Sequence, residues 1–364
     1  MMNAAAFTDS WLRSPSLRTQ FQNQCAAAGH DGCAFISCGS FLPNGKPDTV
    51  SASREASMAL DAGADIVFQL PVIAVLGGYD TAAFAALTLC DRISCISRIA
   101  VPVSGLSQPL LEEISMFLFR EPLPYQKQVR ALMSEGKKFT AARAEALGLF
   151  VPGARDALLS PLNASAVGLQ LAALRRFSSV KLVLFEAGMS EKDGSLPSDN
   201  SKSDDWDLRL AEVLAAFIRD LPEDDFRSAA QMTPSLPWSV SEKMISSKES
   251  FLNCSSFSDM ARFLEGGKLS AQQIRRGLLM LLLGIRLPNL SIAGLDAFSP
   301  YVRVAGLTED DVGAAGWKDA LRAAEVPVIV CGSEKSYGPP LDESRKRLAG
   351  FDESADALWE KIKT

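Results

Sequence analysis

Short apolar runs alternate with helical stretches along the first half of this sequence, and that alternation restricts the possible folds more than any other feature. Ala4 to Phe7, Cys33 to Ser37, Asp65 to Leu70, Ile99 to Val103 and Val180 to Phe185 read as strands. Between them, Leu17 to Ala28, Ser53 to Ala62, Thr81 to Leu89 and Ala164 to Arg176 carry helical patterning, with Gly63 placed as a helix stop. Strands separated by helices at this spacing predict an α/β fold, a parallel sheet with crossover helices. From Gln108 onward helices dominate, at Leu110 to Phe119, Tyr125 to Ser134 and Thr140 to Leu147. Further helices are expected at Leu208 to Arg219, Phe257 to Leu264, Ala271 to Leu283 and Asp356 to Lys363, with one late strand at Val326 to Cys331.

A chain of 364 residues exceeds one ordinary domain. Gly188 to Asp205 is rich in Ser, Asp and Lys with almost no apolar content, and reads as a flexible loop or linker. It divides the chain into an expected α/β domain over 1–205 and a mainly helical part over 206–364. Lys plus Arg total 37 against 43 acidic residues, a net charge of −6, which argues against a strongly basic, non-specific nucleic-acid binder. DNA is not an expected partner. One histidine, His30, excludes any mechanism that needs a histidine pair in its usual form; it reads as a loop histidine rather than a catalytic one. The seven cysteines form no CxxC pair, and Cys25, Cys33 and Cys38 lack zinc-knuckle spacing. They read as reduced thiols of a cytoplasmic protein, so no metal is expected. The apolar stretch Gly277 to Gly284 is too short to span a bilayer, no signal peptide is evident, and no membrane association is expected.

Several segments resemble one family, the tRNA(Met) cytidine acetate ligases, nucleotidyltransferases that carry an H-x-G-H motif. Cys38-Gly-Ser-Phe-Leu-Pro-Asn-Gly-Lys-Pro47 is similar to S-G-N-F-x-Q-R-G-E-P, and Met58 to Pro71 is similar to M-A-L-x-x-G-A-D-L-V-I-E-L-P. Tyr125-Gln126, Gly136 and Ala142-Arg143 fall where the family has a Y-Q…G…A-R helix pair, and Pro161-Leu-Asn163 resembles P-N-N. Pro300-Tyr-Val-Arg-Val-Ala-Gly306 resembles P-Y-I-R-V-L-G, and Phe351 to Trp359 matches the closing L-D-x-x-A-T-D-x-Y.

The resemblance implies a Rossmann-like nucleotidyltransferase domain followed by a helical, tRNA-binding part. It also implies activation of acetate with ATP as acetyl-adenylate, and transfer of the acetyl group to the wobble cytidine of elongator methionine tRNA. The family's H-x-G-H falls on Ser14-Pro-Ser-Leu17, where neither histidine is present and Ser16 replaces the glycine. No catalytic residue is therefore carried over. The nucleotide-side candidates are Ser14, Ser16, Asn163 and Arg209, with a helix N-terminal cap as the other reading of Asn163. The RNA-side candidates are Lys268, Arg275 and Arg276, in Gly267-Lys-Leu-Ser-Ala-Gln-Gln-Ile-Arg-Arg276, where the family has a more cationic helix. Phosphate contacts and a solvated helix face are both open readings of these three. A catalytically inactive relative acting as a binding or scaffold protein is the alternative to the ligase activity.

Overall fold

The computed structural model describes residues 2–5, 15–28, 32–93, 95–187, 203–266, 269–289, 299–308, 312–333 and 336–363. Five strands form the first part of one sheet: β1 (Met2–Ala5), β2 (Cys33–Ser37), β3 (Ile66–Gln69), β4 (Ile96–Val103) and β5 (Lys181–Glu186). All pair in parallel, in the order β5-β4-β1-β2-β3. The α/β class follows from burial on both faces. β2 and β3 are buried along their whole length, and β4 over its last five residues, so near-continuous apolar runs suit them.

The crossovers are helical. α1 (Pro15–Ala28) links β1 to β2, and α2 (Ala52–Asp61) precedes β3. α3 (Val72–Val75) and α4 (Tyr79–Ile93) lead to β4. α5 (Gln108–Arg120), α6 (Leu123–Ser134), α7 (Phe139–Gly148), α8 (Ala154–Leu159) and α9 (Pro161–Arg176) then return the chain to β5. Local chemistry sets their ends. Ser51 and Ser107 accept the amides of Arg54 and Leu110 as N-caps, and Gly63 follows α2 at φ +101°.

The remaining helices are α10 (Ser203–Asp220), α11 (Glu223–Gln231), α12 (Trp238–Ser246), α13 (Lys248–Leu252), α14 (Phe257–Leu264), α15 (Ala271–Leu282), α16 (Val312–Arg322) and α17 (Glu343–Lys363). The segment expected as a linker over 188–205 lies outside the described residues up to 202. Its last three positions are helical and open α10. Trp206, the next residue of α10, is buried in the helical core.

The sheet does not stop at the sequence division drawn at residue 205. β6 (Val302–Leu307) adds antiparallel to β3, β7 (Val328–Val330) adds parallel to β6, and β8 (Ser336–Tyr337) closes that edge. β6 was not anticipated as a strand, because Arg303 interrupts its apolar run. Two large cores result. One joins the sheet to α4, α5, α9 and Trp317. The other joins α10 to α15 and α17, and takes Phe41, Val72, Ile73 and Leu76 from the first half.

Candidate functional site

In a sheet of this order the chain runs outward from β1 in both directions, which leaves a crevice at the C-terminal ends of β1 and β4. β4 ends at Val103, and the turn after it is held by Asn163 from α9. The Asn163 Oδ1 accepts the Ser104 amide at 2.8 Å, and its Nδ2 donates to the Ser104 carbonyl at 2.9 Å. Asn163 is 2% exposed, and its carboxamide thereby fixes the backbone beside the crevice. It is not a cap, since Ser160 holds the N-cap position of α9. Glu186 at the end of β5 accepts the Gly105 amide at 3.0 and 3.2 Å, so both sides of the turn are tied down.

The other nucleotide-side candidates do not gather around Asn163. Ser14 and His30 lie outside the described residues, and Ser16 falls in the first turn of α1. Arg209 sits on α10, partly exposed, and forms a two-point pair with Asp205 one turn earlier, at 2.9 and 3.2 Å.

Of the RNA-side candidates, Lys268 lies outside the described residues. Arg276 is not on a solvated face. Its Nη1 donates to the Pro43 carbonyl at 3.1 Å, and its guanidinium lies over Gly78. A Cβ on Gly78 (φ +106°) would sit 2.9 Å from Nη1, so the close approach depends on glycine there. Burial lowers the pKa values of Arg275 and Arg276 from the ordinary guanidinium range, while Tyr79 and Asp80 offset part of that for Arg276. Arg276 therefore ties α15 to the loop after β2 and to the start of α4.

That loop is the first of the segments that carried the family resemblance, and the others meet it. Asp352 on α17 is 1% exposed and collects two hydrogen bonds, from the Tyr301 hydroxyl at 2.6 Å and the Val72 amide at 2.7 Å. Val72 opens α3 behind Pro71, which offers no side-chain cap, so Asp352 caps α3 from another part of the chain. Arg303 of β6 lies 3.8 Å from Asp352 and 2.7 Å from Asp356. The Ser40 hydroxyl donates to the other Asp356 oxygen at 2.5 Å, and the Trp359 indole donates to the Asp48 carbonyl at 2.7 Å. At the base of the same loop, the Ser37 hydroxyl donates to buried Glu55 and accepts the Gly39 amide at 2.8 Å.

The charges in this network are set by burial and by one another. Burial pushes Asp352 up to about 6, although Arg303, Tyr301 and the Val72 amide all favour its carboxylate. Burial alone would lower Arg303, but Asp352, Cys331 and Asp356 more than offset it and keep the guanidinium charged. Sequence reading quoted the segments holding these residues without assigning them a role. The available signal was Tyr-x-Arg in one segment and two aspartates four apart on one helix face in another.

All seven cysteines are free thiols, and Cys33, Cys38 and Cys90 are buried. Among the described residues no group of three or more His, Cys, Asp or Glu side chains could hold a metal ion, and no helix is long and apolar enough to cross a membrane.

Five parallel strands wound outward from β1, with a crevice at the β1/β4 ends, define a Rossmann-like fold. Residues 19–168 match the family model described as HIGH Nucleotidyl Transferase. The chain's curated relatives are tRNA(Met) cytidine acetate ligases. That of Clostridium perfringens (strain SM101 / Type A) is 27% identical over 117 residues, 32% of this chain and 29% of the relative. That of Caldanaerobacter subterraneus is 31% identical over 112 residues, 31% of this chain and 28% of the relative. These alignments thus span less than a third of either relative's length. In structure the similarity extends over the whole chain. Apo Thermotoga maritima TmcAL superposes with a TM-score of 0.79 at 16% identity, covering 100% of this chain and 95% of that one. The same protein bound with alpha-thio ATP gives 0.78 with the same coverage. The family resemblance expected from the sequence segments is upheld in sequence and in fold.

Proposed function

We propose that this protein serves tRNA in the manner of the tRNA(Met) cytidine acetate ligases: ATP activates acetate, and the acetyl group passes to the wobble cytidine of elongator methionine tRNA. The observation that carries this reading is the agreement of fold along the entire chain, including the late strands and the C-terminal helix. ATP would lie in the crevice at the β1/β4 ends, at the N-terminus of α1, where free backbone amides favour phosphate. Ser14, Ser16, Asn163 and Arg209 are the proposed nucleotide-side residues. Asn163 would act through the Ser104 backbone that it holds. In the same reading the protein is cytoplasmic, with acetate and tRNA as its ligands.

A second reading is favoured by one specific observation. Ser14 and Leu17 stand where the family has its two histidines, and His30 is the sole histidine of the chain. The attack of a carboxylate on the α-phosphate builds charge that a serine and a leucine cannot offset. Losing one such donor costs about 10²–10³ in rate. On that ground the chain is a binding or scaffold protein on the ligase fold. ATP–pyrophosphate exchange with acetate decides between the two. Acetate-dependent exchange establishes the ligase reading, and its absence in folded protein removes it. Tight ATP binding by calorimetry would count against a relative that has given up the nucleotide.

A further inference from the structure

The charge of this chain is unevenly placed. Over 120–143, Arg120, Lys127, Arg130, Lys137, Lys138 and Arg143 face only Glu121 and Glu135, in a protein whose net charge is −6. These cations occupy the end of α5 and the α6–α7 hairpin, with Tyr125, Val129 and Leu132 turned into the core. Lys127 and Arg130 are three apart on the opposite, exposed face of α6, and Arg120 is exposed at the end of α5. None of these three has an ion-pair partner among the described residues. Arg120 in the last turn of α5 complements the helix dipole, but Lys127 in mid-helix has no such local reason.

Two further exposed side chains stand at either end of α6. Phe139 opens α7 directly after Lys137 and Lys138 with 51% of its surface exposed, and Leu123 is 70% exposed at the start of α6. Lys138 also reaches across to Glu265 at 2.9 Å, which docks the hairpin turn against the end of α14, just ahead of the helix that bears Arg275. Lys137 is paired with Glu145, and Arg143 lies against the Tyr125 hydroxyl, so these two shape the face rather than extend from it.

We infer that the exposed face of α6, with the end of α5 and the Lys137–Phe139 turn, is an RNA-docking surface. Arg120, Lys127 and Arg130 meet backbone phosphates, and the Phe139 ring offers a stacking face to an unpaired base. A cationic surface with one bare aromatic suits a stem-loop, because phosphates of a stem and a base of a loop are then met together. The inference rests on the reading that the partner is an RNA. It places the contact on a segment separate from residues 268–276, where sequence alone put it.

Fluorescence anisotropy of the full chain with a tRNA transcript and with a short stem-loop tests it. For Lys127→Glu combined with Arg130→Glu, affinity for both RNAs falls by more than about tenfold at low salt, with the melting temperature unchanged. The slope of log K against log salt shrinks by about 2. Phe139→Ala weakens the stem-loop by about tenfold and leaves a fully paired duplex unaffected. Arg219→Glu, an exposed reversal on α10, changes neither. If the wild type binds tRNA and the double reversal binds it equally well, the surface is wrong and the RNA reading stands. If the wild type does not bind tRNA at low salt, the RNA reading fails and takes the surface with it.

Discussion

Asp352 illustrates how a single side chain is decided by what surrounds it. A carboxylate with no solvent access is costly unless donors offset the lost water, and here Tyr301, the Val72 amide and Arg303 do so incompletely. Its pKa of about 6 in the folded protein stands against about 3.9 in an unfolded chain. Between those values the folded state holds a proton that the unfolded state does not, so the contribution of this group falls as pH rises. It is fully present below about pH 4 and lost as pH passes 6. Urea unfolding of wild type and Asp352→Asn should therefore diverge in slope between pH 4.5 and 7.5 (about the window of this titration), the wild type losing relative stability toward neutral pH by about 2–3 kcal/mol. A flat difference would mean that Asp352 stays ionised throughout. Tyr301→Phe removes one donor and should cost about 1.5–3 kcal/mol at neutral pH, less at pH 5, where the protonated acid needs it less.

Among the elements, α17 does most to order the rest. Its buried residues recur along one side, Leu348, Asp352, Ala355, Leu358, Trp359 and Ile362, and only the apolar members announce a packed helix. Asp352, Asp356 and Trp359 reach three separate targets: the start of α3, Ser40 and the Asp48 carbonyl. The loop between Ser37 and Asp48 is thus held by a helix three hundred residues away along the chain. Trp359→Ala should cost about 3–5 kcal/mol through lost burial and an unpaired carbonyl. It should also raise hydrogen exchange at the Leu42 and Asp48 amides, which bond within that loop, well beyond any change at the β2 amides. Equal protection of the loop in the variant would show that Asp356 and Arg276 suffice to hold it without Trp359. Element positions were largely legible from periodicity: β2 and α14 fall on the same residues as expected, and α5, α7 and α9 within a few. β6 escaped because a charged residue inside a strand breaks the apolar pattern, and the charge is acceptable only because Asp352 and Asp356 await it.

For the whole molecule, the two cores are joined by polar contacts as much as by apolar ones. Arg276 crosses to Pro43, Arg303 carries β6 between sheet and helix, and Phe41 and Leu76 lodge in the helical core. The joint predicts one cooperative unfolding transition despite the chain length, with near-ultraviolet and far-ultraviolet signals coinciding in urea. Arg303→Ala leaves buried Asp352 and partly exposed Asp356 without their shared cation, and should cost about 3–5 kcal/mol and separate the two signals. The candidate site was less legible than the fold. Asn163 was named from the sequence as a nucleotide-side candidate or a helix cap; the structure shows its bond to Ser104, a contact across 59 residues that no local pattern encodes. Arg276 read either as a phosphate contact or as part of a solvated face, because a helical arginine looks solvated until another segment is packed over it. Sequence by itself determined the α/β class, most helix and strand positions, the family resemblance and the presence of a single histidine, because these depend on residue identity and on short-range periodicity. Tertiary structure alone decided that the C-terminal strands extend the first sheet, that Arg276 packs against Pro43 and Gly78, and that α17 closes over the loop after β2. Those outcomes depend on which distant groups meet in the absence of water, and burial changes the energy of a charge far more than its place in the chain does.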